Sequence, residues 1–102
     1  MKIPLVFDEK NRKYRLLNLI FKIIDSRETK QELGRNGMKP INLSIKAIKI
    51  KFIGMFFDID IKYVVNEVNN SPELRKQWGF KSTLDYNKIS KHISKFDSEQ
   101  IL

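Results

Sequence analysis

Apolar positions crowd most densely between residues 43 and 57. They stand at 43, 45, 47, 48, 50, 52, 53, 55, 56 and 57. Wound as a helix, they cover nearly the whole circumference and leave Lys46 and Lys49 together on one narrow polar strip. A helix apolar almost all round belongs at the centre of a fold. Near-alternation over 45–50, with β-branched Ile at three positions, also fits a strand. Helix is preferred because the apolar pattern continues through 57, where alternation breaks. The run is too short and too lysine-rich to span a membrane. Gly54 inside it costs roughly 1 kcal/mol against alanine, so a close helix crossing is expected there.

The pattern on either side predicts more helix. Residues 1–7 are apolar with Pro4 and read as an extended arm lying on the domain. Asp8 is a candidate helix cap, and Glu9 suits the first turn. One helix is expected from there to about Glu32. Leu16, Leu17, Ile20, Phe21, Ile23 and Ile24 form its inner side; Arg15, Asn18, Lys22, Asp25 and Thr29 form its wet side. Leu33-Gly34 is the expected stop. Gly34, Asn36, Gly37 and Pro40 make the clearest loop, with Arg35 and Lys39 on it. Asn42 is the expected cap of the central helix.

Beyond position 57 the helices shorten. Asp58-Ile-Asp60 reads as a break and a new cap, followed by a helix over 61–68 burying Ile61, Val64, Val65 and Val68. Asn69-Asn70 ends it. Ser71-Pro72-Glu73 starts the next: serine cap, proline in the first turn, acid facing the dipole. That helix ends at Trp78, and Gly79 stops it. Ser82 to Asp85 matches a capping box, and Asp85 is itself a cap. The last helix runs over 85–96, with Leu84, Ile89, Ile93 and Phe96 inward and Lys88, Lys91, His92 and Lys95 outward. Fraying is expected after position 96. The fold class is therefore all-α, a small bundle of four or five helices. It is a single domain over 1–102, with an arm, helix and loop to 41 and a second region over 42–96.

Composition adds three constraints. There is no cysteine and a single histidine, so cysteine and His-rich metal sites are excluded. No apolar leader is present before Asp8 and Glu9, which points to an intracellular, soluble, cytoplasmic protein. The formal net charge of +8 is uneven: residues 1–54 carry 13 Lys/Arg against 5 Asp/Glu, and residues 55–102 carry 7 against 7. A basic surface attracts polyanions, of which nucleic acid is the commonest in a cell. Solubilising lysines on wet faces explain the same charge without a ligand.

Catalytic chemistry is not in view. Most acids are explained as caps or first-turn residues. Asp58 and Asp60 form the one close aspartate pair that might suit magnesium, yet both already have a place at helix ends. Gly34 to Gly37 lacks the spacing and the following Lys-Ser/Thr of a phosphate loop. No nucleophile has a partner base. The chain is expected to be no enzyme, with no cofactor and no metal.

Three short helices with tight turns, over 61–69, 72–78 and 85–96, follow the plan of helix-turn-helix modules. The last carries Tyr86, Asn87, Lys88, Ser90, Lys91, His92 and Lys95. Asn can read adenine, and Lys can reach guanine or phosphate. In the rival reading, a helical interaction or dimerisation domain, Trp78 and Phe80 are exposed and meet a protein partner. Trp78 alternatively anchors the core between the last two helices.

Residues 44–96 resemble the N-terminal helical domain of DDE-type insertion-sequence transposases. The matching features are an apolar helix leading into Phe56-Phe-Asp-Ile-Asp-Ile-Lys-Tyr-Val-Val65, then a short helix ending in an aromatic-glycine corner, Leu74-Arg-Lys-Gln-Trp-Gly-Phe80. A polar segment then opens a basic helix, Thr83-Leu-Asp-Tyr-Asn-Lys-Ile-Ser-Lys-His-Ile-Ser-Lys-Phe96. The family's usual proline before the last helix is missing, and lysine replaces much of the arginine. In that family an RNase-H-like domain with three metal-binding acids follows; the chain stops at Leu102, before it. The resemblance implies binding to double-stranded DNA and self-association or pairing with a separate catalytic chain, without strand transfer, as in a truncated or split transposase. The residues marked for DNA are Asn87, Lys88, Lys91, His92 and Lys95 on the last helix, with Lys46, Lys49, Arg12 and Arg15 in the basic half.

Overall fold

The computed structural model describes residues 10–37 and 40–100, with side chains as far as Ser94. All regular structure among them is helical. The six helices are α1 (Arg12–Ile24), α2 (Arg27–Arg35), α3 (Ile41–Phe57), α4 (Ile61–Asn69), α5 (Pro72–Trp78) and α6 (Tyr86–Gln100). None is long and apolar enough to cross a membrane. The arm over 1–7, the Asp8 cap and Lys39 lie outside the described residues.

α3 is the central helix, and the strand alternative for 45–50 falls away. α1, α2, α4 and α6 all pack on it. Ile45, Ala47, Ile50 and Ile53 are buried around its circumference. Its N-cap is Pro40, without a side-chain hydrogen bond, so Asn42 sits inside the first turn and does not cap it. It ends at Asp58, whose φ of 54° is left-handed. The reversal brings the Ile59 carbonyl oxygen within 2.9 Å of where a Cβ on Gly54 would stand. Gly54 is therefore required, but by the α3–α4 turn more than by a helix crossing.

The expected long helix to about Glu32 is two helices, which brings the total among the described residues to six. Asn11 caps α1, accepting from the Lys13 N–H at 2.9 Å. The apolar period lapses after Ile24 and returns at Leu33, so a straight continuation would have nothing to bury. Ser26 instead caps α2, accepting from the Thr29 N–H at 3.3 Å, and the Thr29 hydroxyl donates to the Ile23 carbonyl at 2.7 Å. That carbonyl also accepts from the Ser26 N–H at 3.1 Å, so two donors close the end of α1. α2 runs one residue past the expected stop at Gly34, to Arg35. The inner face of α1 is Tyr14, Leu17, Phe21 and Ile24; Leu16 and Ile23, expected inside, are exposed.

The C-terminal half follows its local signals closely. Asp60 caps α4 through the Tyr63 N–H, Ser71 caps α5 through the Leu74 N–H, and Gly79 ends α5 with φ 78°. Asp85 accepts from the Lys88 N–H, while the Ser82 hydroxyl turns to the Thr83 carbonyl, so the capping box does not form. α6 continues past position 96 to Gln100. Asn69 clamps the α5–α6 connection: its amide donates to the Leu84 carbonyl at 2.9 Å and accepts from the Leu84 N–H at 2.7 Å. α5 packs on α4 and α1, and α6 packs on α3 and α4.

Trp78 and Phe80 are buried, at 1% and 5% exposure, which removes them from any partner surface. Trp78 does not part the last two helices. It packs on α1, stacked on Tyr14 with centroids 5.9 Å apart and edge-on to Phe21 at 6.1 Å.

Candidate nucleic-acid interface

Of the nine residues marked for DNA, two are inside. Lys49 is 2% exposed and does not share a wet strip with Lys46. An ammonium is buried only when paired. Its Nζ donates to Asp25 Oδ2 at 2.9 Å and to the Trp78 carbonyl oxygen at 2.7 Å. It also lies 5.4 Å from the Phe21 ring centre and 5.5 Å from that of Phe80. The Trp78 carbonyl belongs to the last turn of α5, where helices leave acceptors unsatisfied. One cation therefore ties together the end of α1, the middle of α3 and the end of α5.

His92 is the second buried residue, not an outward one. Its Nε2 is 2.6 Å from Ser44 Oγ, a hydrogen bond between α6 and α3. Lys95 lies beyond the described side chains. Arg12, Arg15, Asn87, Lys88 and Lys91 are exposed, and Lys46 is partly exposed.

These six fall into two groups. Lys88 and Lys91 stand one turn apart on α6 and border a shallow depression with Leu43 of α3. Lys46 borders a second depression with Lys30 of α2 and Lys81 after α5. Both lie toward the N-terminal end of α3. That helix end presents the positive pole of its dipole and has no side-chain cap. Arg12 and Arg15 are at the other end. Tyr14 packs on Phe57 at 5.0 Å, and Lys13 Nζ is 5.5 Å from the same ring. From Leu43 to Phe57 along a helix is roughly 21 Å.

Lys30 and Lys81 were not marked by sequence reasoning. Each is a lone lysine on a polar stretch, and only the packing of α2 and the 79–85 connection onto α3 brings them beside Lys46. No family model, curated protein or solved structure matches this chain.

Proposed function

We propose that this protein is a non-catalytic DNA-binding module of the kind that a transposase N-terminal domain supplies. The observation that carries the reading is the gathering of Lys30, Lys46, Lys81, Lys88 and Lys91 around the N-terminal half of α3. Clustered lysines neutralise phosphates and release counterions, which supplies sequence-independent affinity. In this reading α4 to α6 act as a helix-turn-helix-like unit, and α6 enters the major groove. It is braced there by α3 and α4, not by α5. Asn87, Lys88 and Lys91 face the bases and their flanking phosphates. Arg12 and Arg15 lie toward the other end of α3, whose rise from Leu43 to Phe57 of roughly 21 Å matches about six base pairs at 3.4 Å each, and hold a second stretch of backbone. A second copy or a separate catalytic chain is the expected protein partner, in the cytoplasm.

One observation favours the rival reading, a helical interaction domain. Leu16, Leu19 and Ile23 of α1 are 46%, 59% and 66% exposed, at the spacing of one helix face. An exposed apolar strip of this kind marks a protein contact.

Paired variants test the DNA reading by fluorescence anisotropy on two duplexes of different sequence. Lys88→Ala with Lys91→Ala weakens binding and narrows the difference between the duplexes. Arg12→Ala with Arg15→Ala weakens binding to both alike and lowers the salt slope by up to about two units, one per lost phosphate contact. Wild-type affinity and preference in the Lys88/Lys91 pair would remove α6 as the reading helix.

A further inference from the structure

The depression beside Lys46 has a more specific character than a basic surface. It holds 210 Å³ and is lined by Lys30, Lys46, Lys49 and Lys81 against a single acid, Asp25. That acid is already engaged by Lys49 at 2.9 Å. Lys49 spends two of its three N–H donors, on Asp25 and on the Trp78 carbonyl. Its neighbour at the wall is Gly79. A Cβ there would stand 3.1 Å from the Lys49 ammonium. Glycine, which also suits the left-handed φ of 78°, keeps a Cβ from crowding the ammonium at the recess wall.

We propose that this recess is a binding site for a phosphate monoester. The lining carries a net charge of three, four lysines against one aspartate, which suits a dianion better than a monoanion. The lysines come from α2, α3 and the connection after α5, so they surround a volume instead of tracking along a line. A mid-strand phosphodiester has two of its four oxygens tied into the chain and stays at the rim. A terminal phosphate has three oxygens free and can enter. Lys30, Lys46 and Lys81 supply mobile cations at the mouth. Lys49, held rigid by its partners, supplies a fixed positive charge at the floor. The ligand is either a free phosphate compound or the 5′-phosphorylated end of DNA; the second rests on the DNA reading above.

Titration of the ¹⁵N-labelled protein with inorganic phosphate tests the site without DNA. The expected result is a saturable shift of the Gly79, Phe80 and Lys81 amides, lost in the Lys30→Gln, Lys46→Gln, Lys81→Gln triple variant. These three lysines are outside the packed core, and circular dichroism checks that the variant keeps its helices. A matched pair of duplexes, ending in 5′-phosphate or 5′-hydroxyl, separates the sources. A preference for the phosphorylated end of about tenfold, the worth of one charge-assisted hydrogen bond, identifies the DNA end. Equal binding with a saturable phosphate shift identifies a free phosphate compound. Binding of phosphate without any duplex binding leaves the pocket standing and overturns the DNA reading. No saturable shift at Gly79 to Lys81, whatever the duplexes do, overturns the pocket.

Discussion

The α4–α6 region and the α1–α3 region hold their polar groups by different rules. In the first, most anchors are local. Asp60, Ser71 and Asp85 each cap the N–H three residues on, and Gly79 ends a helix by its own backbone. In the second, the deciding bonds are long. Asp25 and Lys49 are 24 residues apart, and Ser44 of α3 reaches 48 residues on, across to His92 of α6. Local bonds follow from residue type and spacing, because a cap needs only its own helix. Long bonds depend on which faces meet, which no short window contains. The contrast is sharpest between Lys46 and Lys49, one turn apart on one helix: Lys46 is partly exposed at the mouth of the recess, and Lys49 is buried at its floor.

The largest test of this contrast removes Lys49. Lys49→Ala leaves the Trp78 carbonyl without its partner and opens a void between α1, α3 and α5. Asp25 is 45% exposed and remains solvated, so the loss comes mainly from the carbonyl and the void, about 3 kcal/mol. Lys46→Ala should stay within about 0.5 kcal/mol, as surface substitutions do. Urea denaturation measures both, and equal losses would erase the distinction between the two lysines.

Asn69 is where the local rule itself breaks. Its amide serves the Leu84 backbone 15 residues away in both directions. Asn69→Ala leaves a partly buried N–H and C=O unpaired and should cost about 2 kcal/mol. A loss no larger than that of a cap would mean water replaces the clamp. The smallest effect belongs to a purely local anchor: Ser71→Ala should cost about 1 kcal/mol, measured in the same denaturation series.

These residues also explain what the sequence disclosed. The all-α class, the central helix, its end at Asp58 and the starts of α4 and α5 were legible, since apolar period and cap residues coincide there. The break at Asp25-Ser26 was missed because periodicity marks it only by an absence. Ser26, followed by Glu28 and Thr29, was the available signal. Among the marked contact residues, Asn87, Lys88, Lys91, Arg12 and Arg15 are on the surface, whereas Lys49 and His92 are not. A lone histidine or lysine on a helix looks the same whether or not a partner waits across the core. Lys30 and Lys81 were invisible for the converse reason: they matter only beside Lys46.

The basic end of α3 and the outer face of α6 are the surfaces proposed to bind duplex DNA. The most direct test is the affinity of the wild-type protein for a duplex as salt rises. Binding at low salt and a linear fall of log K with log salt are expected, at a slope of about −0.9 for each phosphate neutralised. The five lysines around the N-terminal half of α3, together with Arg12 and Arg15, set the expected slope at about −6. Absence of binding at low salt, or affinity indifferent to salt, would contradict it.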